Sequence, residues 1–148
     1  MPLRFTTRAE YGLRAMVDLA EHHIHQEPIP LVRVAERQGI SEGYLEQLMT
    51  FLRKGGLVRS IRGAKGGYLL IREPGRITAG EVVRCLEGPL NPTSCVGDDD
   101  PDACGRSDNC ATREMWFRIK NSVAEVLDST TLADLTRSSK FEIRGSKE

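Results

Sequence analysis

Apolar positions recur at helical spacing from residue 7 onward. Leu13, Met16, Val17 and Ala20 share one face, and Ile24 extends it, which predicts a helix over residues 7–25. Thr7-Arg-Ala-Glu10 fits a capping box, with the Thr7 hydroxyl capping the helix and Glu10 reaching back to the Thr7 amide. Pro28 and Pro30 end this element. Leu31, Val34 and Ala35 predict a short second helix over 31–38, and Leu45, Leu48, Met49 and Leu52 a third over 42–54. Between them, Gly39 stops one helix and Ser41 starts the next, while Gly55-Gly56 closes the third.

The period then changes. Residues 57–62 and 68–71 are short β-prone runs around the basic, glycine-rich turn Gly63-Ala-Lys-Gly-Gly67, which reads as a hairpin. Thr78-Ala-Gly-Glu81 is a second capping box, opening a helix through Leu86 that Gly88-Pro89 ends. A polar loop follows over 91–110. A long helix is expected over 112–129, with Met115, Trp116, Ile119, Val123, Val126 and Leu127 as its apolar stripe. Thr131 to Asp134 predicts one more turn.

The expected architecture is mainly α with a small β-hairpin wing. A winged helix-turn-helix domain covers 1–88, the polar loop 89–111 and the long helix 112–135, and 136–148 is a polar tail expected to be mobile. No internal repeat is present.

Charge adds an asymmetry. Lys+Arg and Asp+Glu both number 21, so the formal net charge is +0. Residues 1–76 hold 12 basic and 8 acidic side chains; 77–148 hold 9 and 13, so a +4 half precedes a −4 half. A basic first half suits contact with a polyanion. No apolar stretch approaches the length of a membrane span, and the start has no signal-peptide pattern, so a cytoplasmic protein is expected.

Helix, short turn, helix and then a basic hairpin suit DNA. In a helix-turn-helix the second helix of the motif enters the major groove and presents its N-terminal residues to base edges. Here those include Ser41, Tyr44, Glu46 and Gln47. Gln47 can pair with adenine, Glu46 can accept from cytosine, and Ser41 can donate to a base or phosphate. Arg59, Arg62 and Lys65 of the wing suit a minor groove or phosphates.

Three of the four cysteines, Cys95, Cys104 and Cys110, fall inside the polar loop. The loop is too rich in Asp, Gly, Pro and Ser to bury a core of its own. In a reducing compartment, thiols clustered there point to metal or redox chemistry. Three thiolates leave a fourth coordination position to fill. Cys85 instead falls on the apolar side of a helix with Val82 and Leu86, as a buried structural thiol does. His22, His23 and His25 lie far from the loop in sequence and read as solvated. No nucleotide loop, catalytic triad or second cysteine set supports an iron–sulfur enzyme or electron carrier.

Four segments resemble the winged-helix regulators that include the IscR-type, NsrR-type and CymR-type proteins. They are Glu10-Tyr-Gly-Leu-Arg-Ala-Met-Val-Asp-Leu-Ala20, Ile40-Ser-Glu-Gly-Tyr-Leu-Glu-Gln-Leu48, Leu52-Arg-Lys-Gly-Gly-Leu-Val58 and Arg62-Gly-Ala-Lys-Gly-Gly-Tyr-Leu-Leu70. The resemblance spans residues 3–127. It implies a homodimer joined by the long helix after the cysteine loop, binding palindromic double-stranded operator DNA, with no enzymatic role. Ser41, Tyr44, Glu46, Gln47 and Arg62 match positions that read or position DNA in IscR-type members.

The cysteine trio matches the cluster-binding members, and CymR-type members lack it. The resemblance thus implies an iron–sulfur cluster, 2Fe–2S by likeness to IscR-type members, with 4Fe–4S as the alternative. In IscR-type members a histidine three residues after the last cysteine completes the set; here that residue is Arg113, whose guanidinium has no lone pair to give. NsrR-type members instead carry an acidic residue where this chain has Glu10, and it completes the cluster from the partner subunit. Glu10 is therefore a candidate fourth ligand. The alternatives are a capping role alone for Glu10, ligation by Asp98, Asp99, Asp100, Asp102, Asp108 or Glu114, or water. The same scaffold with zinc, or with a thiol–disulfide switch among the three cysteines, is the competing expectation.

Overall fold

The computed structural model describes residues 5–92 and 111–136. The three loop cysteines, the loop aspartates and nearly all of the expected tail lie outside these residues.

Helix α1 covers Thr7–Glu21 and is capped by Thr6, not Thr7. Thr6 is extended (φ −88°, ψ 179°), and its hydroxyl accepts from the Arg8 amide at 3.2 Å. Thr7 is thus already helical. Glu10 lies one residue too far along to close a capping box, and its own amide bonds the Thr6 carbonyl at 3.2 Å. Either threonine could cap by sequence. A long-range contact decides, because Thr6 gives its amide and its hydroxyl to the carboxylate of Glu87. The helix also stops earlier than its apolar pattern. The His22 amide bonds the Leu19 and Ala20 carbonyls, and His23–His25 form a 3-10 turn ended by Gln26 at φ 50°.

Helices α2 (Leu31–Gln38) and α3 (Glu42–Lys54) fall where the sequence places them. Gly39 between them has φ 66°, a conformation that costs other residues energy. The hairpin is β1 (Val58–Ile61) antiparallel to β2 (Gly67–Leu70), with Val58 opposite Leu70 and Ile61 opposite Gly67. Ile29 adds an unexpected bridge to Tyr68 through two backbone bonds of 3.0 and 2.9 Å. It anchors the wing to the segment before α2.

Helix α4 (Ala79–Glu87) opens on the expected box. The Thr78 hydroxyl accepts from the Glu81 amide at 3.1 Å, and the Glu81 carboxylate accepts from the Thr78 amide at 2.9 Å. Helix α5 (Arg113–Ser129) follows the cysteine loop. The chain then turns back. Ala79 donates to the Thr130 carbonyl at 2.7 Å and Leu132 to the Ile77 carbonyl at 2.9 Å. Thr131 and Asp134 cap this final turn reciprocally at 3.0 and 3.1 Å.

One core joins the first four helices, the wing and Leu132. Met16 and Leu19 of α1, Val34 of α2, Leu45, Leu48, Met49 and Leu52 of α3, Val58 and Val82 are buried in it. Each such side chain contributes roughly 1.5–3 kcal/mol by leaving water. Gly12 lets α1 approach α4 closely, since a Cβ there would collide with Leu86.

A buried charge fixes α2 on α1. Asp18, 1% exposed, accepts from Arg37 Nε at 2.9 Å, Arg37 Nη2 at 2.7 Å and Gln38 Nε2 at 2.9 Å. The bond to Asp18 raises the Arg37 pKa above its usual value, outweighing partial burial. Periodicity does not reveal this pair, because an acid on the inner face of α1 breaks the apolar pattern.

Candidate nucleic-acid interface and the base of the cysteine loop

Helix α3 is two-sided. Leu45, Leu48, Met49 and Leu52 are buried, whereas Glu42, Gly43, Glu46 and Gln47 are exposed. Ser41 caps the helix by accepting from the Tyr44 amide at 3.3 Å, which leaves its hydroxyl hydrogen free to donate. The predicted reading residues Ser41, Glu46 and Gln47 thus stand on one open surface. Tyr44 is half-buried and turned towards α1. Its ring meets Tyr11 edge-on at 6.1 Å between centroids, and its hydroxyl is 3.1 Å from Thr7 Oγ1. Arg53 and Lys54 stand in the last turn of α3, where cations suit the helix dipole.

Arg59, Arg62 and Lys65 are all exposed on the wing. Residues 62–66 form its tip, closed by a 2.9 Å bond from the Gly66 amide to the Gly63 carbonyl. A rigid helix and a basic hairpin tip on one small domain fit duplex DNA.

The cysteines that sequence singles out lie in the undescribed loop, so the structure does not bring them together with Glu10. Glu10 itself is exposed near the start of α1, and no hydrogen bond or ion pair engages its carboxylate among the described residues. Arg113 opens α5 with its Nε buried and unpartnered among the described residues. No group of three or more His, Cys, Asp or Glu able to hold a metal occurs among the described residues.

Cys85 is half-buried on α4 against Gly55, at the end of α3. Burial raises its pKa, and the nearby Glu81 adds to the rise, so the thiolate is disfavoured. His22 and His23 are less solvated than expected. His22 Nδ1 lies 2.8 Å from the Asp18 carbonyl, and His23 Nδ1 is buried without a partner among the described residues.

Helix α5 contributes no buried residue. Its expected stripe divides in two. Trp116, Ile119, Val123 and Leu127 are half-buried, while Met115 and Val126 are 48% and 64% exposed. Arg84 of α4 holds Asp128 through bonds of 2.6 and 3.0 Å. The Arg84 bond lowers the Asp128 pKa despite some burial. Among the described residues, no helix is long and apolar enough to cross a membrane.

Fold and surface together define a winged helix-turn-helix regulator of transcription. Residues 5–138 match the family model described as Rrf2, iron-dependent transcriptional regulator. The chain belongs to the Rrf2 family of DNA-binding transcriptional regulators; its relatives are regulators and not enzymes. It is 47% identical to the regulator CymR of Bacillus subtilis over 133 residues, 90% of this chain and 89% of that protein. The solved structure of that protein, described as the global cysteine regulator, superposes with a TM-score of 0.76, covering 92% of this chain and 98% of the other. The regulator IscR of Xenorhabdus nematophila is 40% identical, over 91% of this chain and 80% of its own. The structure of T. potens IscR gives 45% identity and a TM-score of 0.73, covering 93% and 88%.

Proposed function

We propose that the chain is a cytoplasmic homodimer that binds palindromic operator DNA under the control of an iron–sulfur cluster. Ser41, Tyr44, Glu46 and Gln47 read or position the major groove, and Arg59, Arg62 and Lys65 hold the adjacent backbone or minor groove. The two-sided α3 supports this reading, since Leu45, Leu48, Met49 and Leu52 are buried while Glu46 and Gln47 are open.

Helix α5 is the dimer interface in this reading. A 17-residue helix with no buried side chain and exposed Met115, Phe117 and Val126 needs a further surface to cover it.

Cys95, Cys104 and Cys110 would hold the cluster, 2Fe–2S by likeness to IscR or 4Fe–4S in the alternative. Glu10 from the partner subunit is the fourth ligand. Bound, the group would supply a state sensitive to iron supply, oxidants or nitric oxide. The observation that carries the Glu10 assignment is its release from capping: Thr6 holds that role, and the Glu10 carboxylate is exposed and unengaged among the described residues.

Anaerobic purification tests the cofactor. A coloured protein with iron and acid-labile sulfide is expected; a colourless one holding stoichiometric zinc, even after reconstitution, overturns the cluster. Glu10→Ala should change the visible spectrum or shorten cluster lifetime while leaving the oligomer intact. An unchanged spectrum and lifetime would move the fourth ligand to the loop carboxylates.

The second reading keeps the same scaffold without a cluster, with Cys95, Cys104 and Cys110 binding zinc or acting as a thiol–disulfide switch. Thiol titration of iron-free protein before and after oxidation distinguishes the two.

A further inference from the structure

The last residue of α4 is joined to the first turn of α1. Glu87 Oε2 accepts from the Thr6 amide, and Oε1 accepts from the Thr6 hydroxyl at 2.9 Å. The Arg8 guanidinium stands 3.4 Å from Oε1, and the Glu87 side chain is only 4% exposed. A carboxylate so placed is costly to bury unless both oxygens are satisfied, and here both are.

The same turn of α1 reaches the reading helix. Thr7 Oγ1 is 3.1 Å from the Tyr44 hydroxyl, and the Arg8 guanidinium lies 6.0 Å from the Phe51 ring centroid. Two residues of α1 therefore touch α3 near each of its ends, and Glu87 holds that turn in place. Glu87 also immediately precedes Gly88 and Pro89, where the chain leaves α4 for the cysteine loop.

We propose that Glu87 is a positioning residue for DNA reading. It sets the first turn of α1, and through Thr7 and Arg8 it sets the orientation of Tyr44 and the pitch of α3 on the core. The start of the cysteine loop is thus two residues from a link to the reading helix. This rests on the DNA-reading role of α3 and on nothing bound at the loop.

The test uses the full chain and a duplex selected from a random library by the unaltered protein, with a random duplex as control. Glu87→Ala should weaken binding to the selected duplex about tenfold while leaving the random duplex within about twofold. Glu87→Gln keeps an acceptor for Thr6 and should restore most of the affinity. Thr7→Val should reproduce part of the loss, and its combination with Glu87→Ala should cost less than the sum, as for residues acting in one path. Equal losses on both duplexes, a loss below about twofold, or simple additivity would overturn the proposal. Should Glu87→Ala fail to fold, Thr7→Val alone tests the path: a loss confined to the selected duplex is expected, and equal losses on both duplexes would overturn the proposal. Gln47→Ala, which removes a base contact, tests the α3 reading separately.

Discussion

Helices α3 and α5 are similar in length and solve their apolar faces in opposite ways. Helix α3 buries Leu45, Leu48, Met49 and Leu52 completely within one chain and shows water a mostly polar surface, with Phe51 open beside the Arg8 guanidinium. Helix α5 buries no residue and leaves Met115, Phe117 and Val126 in the open. The first is finished by its own fold. The second is only half-seated on α4, with Trp116, Val123 and Leu127 partly covered and an arginine–aspartate clamp at its far end. A finished helix, proposed to read DNA, and a partly covered one, proposed to pair two copies, thus sit on one core.

The comparison breaks most sharply through α5. Replacing Met115 and Val126 with aspartate should weaken the proposed dimer by at least about 100-fold, since two exposed apolar side chains of α5 give way to charges on the surface proposed to pair. Sedimentation should then show monomer with unchanged helical content. A retained dimer would place the interface elsewhere.

Next comes the ion pair that fixes α2 on α1. Arg37→Ala leaves the Asp18 carboxylate buried with less compensation and should cost about 3 kcal/mol in denaturant unfolding. Asp18→Ala should cost less, about 2 kcal/mol, because the Arg37 side chain is 38% exposed and can turn to water.

The reading surface itself should respond without loss of stability. Gln47→Ala should cost about 1–3 kcal/mol on the preferred sequence and relax selectivity. Lys65→Ala should weaken all sequences alike and reduce the salt slope by about 1. Binding isotherms on matched duplexes at several salt concentrations check both.

The smallest effect concerns pH. Burial pushes the Glu81 carboxyl up, but the Thr78 amide and Arg72 outweigh it and hold the pKa below the usual value. A depressed carboxylate stabilises the fold above its unfolded pKa, and that contribution is lost as pH falls through the folded value. Unfolding of Glu81→Gln should therefore be less sensitive to acid than that of the parent chain over the range below pH about 4.5.

Local signals made much of this legible. The boundaries of α2 and α3, the Thr78 box and the hairpin are written in short-range apolar spacing, glycines and caps, and the structure agrees with each. What sequence hides is tertiary. Thr6 rather than Thr7 caps α1 because a residue eighty positions away captures it. Ile29 pairs with Tyr68 although two prolines flank it and suggest only an ending. The α5 stripe reads as one face, but α4 covers only part of it. Asp18 looks like a surface acid until Arg37 and Gln38 are brought beside it. For the candidate site, the exposed reading residues and the wing cations stand where sequence places them on their elements. The cysteines lie outside the described residues.

Leu132 has a consequence for the order of synthesis. It is fully buried in the core it shares with α1, α3 and α4, yet it follows α5 in the chain. A growing polypeptide therefore cannot seal the DNA-reading half until the whole of α5 has been made. No nascent chain carries a completed reading head without the helix proposed to pair it with a second copy.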